Sequence, residues 1–171
     1  MWYNRGAKEM EDYIMWHNDL NKNKKHTFKN TPREKYNCGG YALGTFTWYR
    51  PTDNYWFDFG SINLANEKNG IEKATQKCVD FMLKEFGNAL RVIQSIEDLE
   101  ENEYAIAFRI SGTAWNDFHY IKRAKNGCWY QKQGALRQIT RVSKAKVFSK
   151  QWIGFPIKYE GQIVLLAKKE N

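Results

Sequence analysis

The sequence has little cysteine and no long apolar run. Its 171 residues include only three cysteines, Cys38, Cys78 and Cys128. An odd number at wide spacing excludes a disulfide framework and a paired zinc motif, so we expect free thiols and neither a metal nor a cofactor. No apolar stretch approaches the roughly 18 residues that span a bilayer, and the first residues lack the apolar core of a signal peptide. We therefore expect no membrane span and a cytoplasmic location.

Acidic residues are outnumbered by basic ones. The chain holds 27 Lys and Arg against 19 Asp and Glu, which gives a net charge of +8. Such a surface favours acidic partners, whether nucleic acid, an anionic membrane face or an acidic protein. Hydrophobic residues make up 42% of the chain and aromatic residues 16%, which is typical of a globular protein rather than a disordered one. The length suits one domain over residues 1–171.

Helical periodicity comes first in the chain and strand patterns come second. Apolar residues at steps of three and four predict helices over 7–20, 38–49 and 71–86. The predicted strands are 90–94, 104–110, two strands within 115–134, and further strands in the tail at 145–148, 152–157 and 162–167. This order predicts an α+β fold in which N-terminal helices pack on a C-terminal antiparallel sheet.

One cysteine lies where a polar loop meets the start of a predicted helix. Cys38 is preceded by Tyr36 and Asn37 and followed by Gly39 and Gly40. A helix N-terminus carries unsatisfied N–H groups and partial positive charge, which stabilise a thiolate and lower its pKa. The glycine pair would leave the sulfur uncovered and admit a substrate or another backbone. The alternative is a buried, inert cysteine that opens a core helix.

A histidine stands on the first strand of a predicted hairpin, and the turn decides its neighbours. A two-residue turn at Asn126-Gly127 would pair Lys125 with Cys128 and put Tyr130, Lys132 and Gly134 on the face of His119. A three-residue turn, with Gly127 left-handed, would pair Ala124 with Cys128 and put Trp129, Gln131 and Gln133 there. Only the second register gives the imidazole an uncharged hydrogen-bond acceptor.

Together these residues resemble the papain-like cysteine peptidase superfamily, with the compact NlpC-type hydrolases nearest in layout. The resemblance rests on Asn37-Cys38-Gly39-Gly40-Tyr41-Ala42-Leu43, on Phe118-His119-Tyr120 some eighty residues later, and on the Gly-x-Trp hairpin that ends in a polar residue. It covers roughly residues 30 to 135. It implies that Cys38 is the nucleophile, His119 the general base and Gln131 the residue that orients the imidazole. Relatives usually carry His, Asn or Asp at the third position.

The implied chemistry is a cysteine hydrolase, a peptidase or amidase that cleaves or transfers an amide, isopeptide or thioester bond of a peptide or protein substrate. Its thiolate attacks a carbonyl while the histidine takes and returns a proton. The backbone N–H of Cys38 would receive the oxyanion together with a nearby donor. The candidates for that donor or for substrate positioning are Asn37, Tyr36 and Gly39.

A second function from a different class follows from the positive charge. The same scaffold, weakly active or inactive, could bind nucleic acid, a nucleoprotein or an acidic protein as an inhibitor, for example a phage counter-defence protein of the anti-CRISPR kind. The basic residues that would contact phosphates are Lys22, Lys24, Lys25, Arg33, Lys35, Arg137, Arg141, Lys144 and Lys146. The two functions differ in whether Cys38 is required.

Overall fold

A computed structural model describes residues 36–52, 67–112, 117–133, 139–154 and 157–170. These residues form the helices α1 (Cys38–Leu43), α2 (Gly70–Phe86) and α3 (Lys144–Val147), with 3₁₀ turns at Gly87–Ala89 and Ile96–Asp98. The predicted helix over 7–20 and the lysine-rich run that follows it lie outside the described residues.

The strands pair antiparallel throughout the described residues. They are β1 (Leu90–Ile93), β2 (Glu103–Ile110), β3 (Phe118–Arg123), β4 (Trp129–Lys132), β5 (Ile139–Val142), β6 (Trp152–Ile153), β7 (Lys158–Tyr159) and β8 (Val164–Lys169). Six of them form one sheet in the order β1-β8-β2-β3-β4-β5, and β6 and β7 form a separate hairpin. The mixed helix and antiparallel-sheet class that the sequence predicts is confirmed.

Both faces of the large sheet are covered. On one face, α1 and α2 pack against alternate residues of the central strands, among them Ile106, Phe108 and Tyr120. On the other face, Trp152 and Tyr159 of the β6–β7 hairpin pack against Ala107 and Ile121 together with the end of α3. Side chains of a strand alternate between faces, so β3 sends Phe118 and Tyr120 toward the helices and His119 toward the hairpin.

The helix that begins at Cys38 is shorter than predicted. It ends at Leu43 instead of 49, because Gly44 caps it in the left-handed conformation with φ 73° and Phe46 is left-handed as well, with φ 54°. The chain then folds back on the helix, and the backbone N–H of Phe46 donates to the carbonyl of Gly40 at 3.0 Å. The aromatic residues that suggested a longer helix therefore belong to a return loop.

The other predicted elements agree with the structure except in the tail. The most regular helix runs from Gly70 to Phe86 as expected, with Cys78 fully buried in the core. The predicted strand at 145–148 is wrong, because Ser143 accepts from the N–H of Lys146 and caps the short helix α3. The last strand, β8, lies between β1 and β2.

Candidate functional site

Cys38 is the first residue of α1 and lies beside the start of β3. Its Sγ is 4.0 Å from the carbonyl oxygen of Phe118. The pairing of β3 with β4 involves only the far end of β3, at Lys122 and Arg123. The start of α1 therefore lies against the beginning of β3, which β4 leaves unpaired. The residue that it contacts there, Phe118, is the neighbour of His119 in the chain.

The start of α1 is held by Asn37. Its side-chain Oδ1 accepts from the N–H of Gly40 and from the N–H of Tyr49, both at 3.0 Å, and its Nδ2 donates to the carbonyl of Tyr49 at 2.7 Å. One buried amide thus caps the helix and fixes the return loop. The side chain that the sequence offered as an oxyanion donor is committed to the scaffold.

The glycine pair is explained by packing. A Cβ at Gly40 would lie 1.9 Å from the carbonyl oxygen of Thr47, so only glycine permits the return loop to approach the helix. A Cβ at Gly39 would lie 3.1 Å from the rings of Tyr120 and Tyr49. The prediction that another backbone approaches here is confirmed at Gly40, but the prediction that the pair leaves the sulfur uncovered is wrong, because Cys38 is only 5% exposed. Gly39, in contrast, borders aromatic rings and does not line the cavity described below.

His119 is oriented by the hairpin that the sequence predicted. Gly127 is left-handed with φ 83°, the N–H of Ala124 donates to the carbonyl of Cys128, and the three-residue register holds. His119 Nε2 lies 2.8 Å from Gln131 Oε1. Because an amide oxygen only accepts, Nε2 carries the proton and Nδ1 is left with the lone pair of the neutral ring.

Aromatic rings from the β6–β7 hairpin complete the surroundings of this imidazole. Tyr159 lies over it with 5.4 Å between centroids, and Trp152 meets it edge-on at 5.9 Å. Arg109, which is opposite His119 in the sheet, places its guanidinium 5.3 Å from the Trp152 ring. The same guanidinium donates to the carbonyls of Gly161, Ser149 and Lys150. Arg109 thereby fixes the segment that covers the histidine.

Cys38, His119 and Gln131 open into one cavity of about 450 Å³. Its remaining described lining is Asn37, Trp48, Asp117, Phe118, Gln133, Trp152, Ile153, Gly154, Ile157 and Tyr159. A volume of this size holds a peptide side chain with its flanking amide. The structure thus brings together the three side chains that the sequence singled out.

Burial is the largest cause of the pKa shifts of Cys38 and His119. It raises the pKa of the Cys38 thiol to about 12, and the charge of Asp117 adds to this rise. Burial lowers the pKa of His119, although Gln131 and Asp117 act in the opposite direction. The backbone N–H groups of Gly39 and Tyr120 lower the pKa of Cys38, as expected at a helix start, but burial outweighs them and the net shift is upward. The resting pair is a thiol and a neutral imidazole.

Asp117 and Tyr159 are linked at the cavity wall. Asp117 Oδ1 accepts from the N–H of Phe118 and Oδ2 accepts from the Tyr159 hydroxyl, each at 2.8 Å. The hydrogen bond to Tyr159 holds the ring that lies against His119. Asp117 directly precedes β3, and it accepts from Tyr159, whose ring lies against the imidazole.

The other predicted site residues lie elsewhere. Tyr36 is fully buried and does not line the cavity, since its ring packs against Phe46 and its carbonyl accepts from Lys132. Arg141, Lys144 and Lys146 are exposed on β5 and α3. The remaining predicted phosphate contacts, Lys22, Lys24, Lys25, Arg33, Lys35 and Arg137, lie outside the described residues.

Sequence reasoning missed the aromatic walls of the cavity. Trp48 comes from the return loop, and Trp152 and Tyr159 come from a hairpin roughly thirty to forty residues beyond His119. No local pattern marks these residues as neighbours of the cysteine, because the sheet topology brings them there. Gln133 was placed correctly on the face of His119 by the hairpin register, and it lines the cavity.

The described residues show neither a metal centre nor a membrane-spanning helix. Within the five described ranges, no three His, Cys, Asp or Glu side chains converge as metal ligands, and no helix there is long and apolar enough to cross a membrane. Comparison of the chain with protein-family models, with curated proteins and with solved structures finds no match in any of the three.

Proposed function

We propose that the cavity is the active site of a cysteine hydrolase of papain-like, NlpC-type organisation that cleaves or transfers an amide, isopeptide or thioester bond. The observation that carries this proposal is the 2.8 Å contact of His119 Nε2 with Gln131 Oε1 in the cavity that Cys38 also lines. A donor hydrogen bond at Nε2 leaves Nδ1 as the base. An imidazole that is oriented by a third group and keeps its other nitrogen unprotonated is what a cysteine nucleophile requires of its base.

The first step is a proton transfer coupled to attack. Since both groups are neutral at rest, the Cys38 thiol gives its proton to His119 Nδ1 as the sulfur bonds to the substrate carbonyl carbon. Gln131 then holds the imidazolium through Nε2–H. The carboxylate of Asp117 stabilises the same cation, because its charge raises the pKa of His119.

The oxyanion that forms in this step needs donors other than those expected from the sequence. The side chain of Asn37 is engaged with Gly40 and Tyr49, which leaves the backbone N–H of Cys38 as one donor. Gln133 also lines the cavity, and its exposed side-chain amide can donate a hydrogen bond there. We assign it as the second donor.

The second half of the reaction returns the proton. Collapse of the tetrahedral intermediate expels the leaving amine or thiol, which takes the proton from His119 and leaves an acyl thioester on Cys38. A water, or an acceptor amine in a transfer reaction, then attacks the thioester while His119 Nδ1 removes its proton. Release of the acid or the new amide restores the thiol and the neutral imidazole.

A peptide-library assay tests this function. Cleavage of peptide and isopeptide substrates should be measured by mass spectrometry for the wild-type protein, Cys38→Ala and His119→Ala, with Cys128→Ser as the matched control. We expect both site variants to lose at least about a thousandfold in kcat/KM, and the control to keep full activity. Activity that survives in Cys38→Ala would refute the proposal.

The charge-based alternative makes the opposite prediction for Cys38. Arg141, Lys144 and Lys146 form an exposed basic segment, which favours binding to an acidic partner. If the protein is an inhibitor that binds nucleic acid or a nucleoprotein, Cys38→Ala keeps its activity. Charge reversal at Lys144 and Lys146 would then abolish binding, and affinity would fall steeply with salt.

A further inference from the structure

The charge of the cavity differs in sign from that of the chain. The protein carries a net charge of +8, with 27 Lys and Arg. Among the described residues that line the cavity, none is Lys or Arg, and Asp117 is the one carboxylate. His119 adds no positive charge at rest, since burial lowers its pKa. The described lining therefore carries a carboxylate and no basic side chain, and at Cys38 the charge of Asp117 has a larger effect on the pKa than that of the nearby Lys132.

The carboxylate of Asp117 is fixed and still has accepting capacity. It accepts one hydrogen bond at each oxygen, from the N–H of Phe118 and from the hydroxyl of Tyr159. An ionised carboxylate has about four acceptor positions, so roughly two remain. Its charge also reaches the reactive groups, because it raises the pKa of Cys38, His119 and Tyr159. A cationic group in the cavity would meet this oriented charge directly.

The walls of the cavity suit a long side chain that ends in a cation. Trp48, which is 44% exposed, and Ile153, which is 72% exposed, are large apolar side chains of the lining that reach solvent, and Trp152 and Tyr159 lie deeper. Apolar and aromatic surface of this kind packs against the methylene stem of Lys or Arg and attracts the charged end. A neutral apolar side chain would gain the same packing without the contact to Asp117.

We propose that the cavity selects substrates with a Lys or Arg side chain at the residue that supplies the scissile carbonyl, and that Asp117 recognises its charge. This inference rests on the proposed function, because it takes Cys38 as the nucleophile beside which the side chain is bound. It adds a substrate class to that function and makes Asp117 a specificity-determining residue.

Paired substrates that differ only in charge test the inference. Fluorogenic peptide amides with Arg or citrulline, and with Lys or norleucine, at that residue should be compared by kcat/KM. We expect the wild-type protein to favour each cationic member by about tenfold or more, which corresponds to roughly 1.4 kcal/mol. Asp117→Asn should bring the ratio close to one. The control Asp80→Asn, which removes the same charge from the exposed face of α2, should keep the ratio.

Binding to the Cys38→Ala variant separates this inference from the catalytic one. Fluorescence anisotropy with the same labelled peptides should show tighter binding of the Arg peptide, and the difference should vanish when Asp117→Asn is added. Preferential binding without turnover in the wild-type protein would sustain the specificity and refute the hydrolase. Equal binding of the paired peptides, absent binding, or a ratio that survives Asp117→Asn would overturn the inference.

Discussion

Removal of the Gln131 side chain should weaken catalysis, and the effect should arise only from its contact with His119. Gln131→Ala deletes the acceptor that lies 2.8 Å from Nε2 of a histidine that is only 6% exposed. A hydrogen bond to a charged partner contributes about 1.5–3 kcal/mol, and this one is strongest when the imidazolium forms. Since about 1.4 kcal/mol is a factor of ten, kcat/KM should fall about 10- to 150-fold.

The pH profile distinguishes this role from a merely structural one. The hydrogen bond that His119 donates to Gln131 raises the pKa of the imidazole against the effect of burial, so its loss should lower that pKa further. The base works only when it is neutral, and the acid limb of kcat/KM should therefore move to lower pH in Gln131→Ala. It should move to higher pH in Gln131→Glu, where a carboxylate stabilises the imidazolium.

Steady-state kinetics over about pH 5 to about pH 9 measure both effects, with thermal unfolding checked in parallel. Gln94→Ala is the matched control, because Gln94 is an exposed glutamine directly after β1. It should change neither the rate nor the profile. An acid limb that stays in place in both Gln131 variants would refute the assignment of Gln131 to the imidazole.

Two further predictions concern stability and the state of the thiol. Gly40→Ala should destabilise the protein by about 3 kcal/mol or more in urea unfolding, because its Cβ would lie 1.9 Å from the Thr47 carbonyl oxygen, and an unchanged midpoint would contradict the packing. The pKa of Cys38 is raised to about 12, so its thiolate fraction and its alkylation by iodoacetamide should rise about tenfold per unit from about pH 8 to about pH 10. Peptide mass spectrometry measures the rate at Cys38, and a plateau below about pH 9 would indicate a thiolate that forms at ordinary pH.

Local sequence patterns were sufficient to predict the helix α2 and the hairpin of β3 and β4. Apolar residues at helical steps and Gly87 at the end predicted Gly70–Phe86 closely. The turn at Asn126-Gly127 left two registers open, and the one that gives His119 an uncharged acceptor is the one observed. In both cases the deciding interactions lie within a few residues of one another in the chain.

The predictions that were wrong or missing concern features that depend on contacts between distant segments of the chain. The early end of α1 follows from left-handed residues at Gly44 and Phe46 and from the bonds of Asn37 to Tyr49, which periodicity does not register. The insertion of β8 between β1 and β2 pairs residues that are roughly 55 to 80 positions apart in the chain. The same long-range packing brings Trp152 and Tyr159 onto His119 and buries Cys38, which reverses the expected direction of its pKa shift.

The most direct test of the central claim is the site of a covalent adduct formed by a substrate-like electrophile. A peptide vinyl sulfone with Arg next to the reactive carbon should be incubated with the wild-type protein, and the modified residue should be located by mass spectrometry. We expect one adduct, on Cys38, which is lost in His119→Ala and retained in Cys128→Ser. Modification of Cys128 instead, or equal modification of Cys38 with and without His119, would contradict a Cys38–His119 catalytic pair.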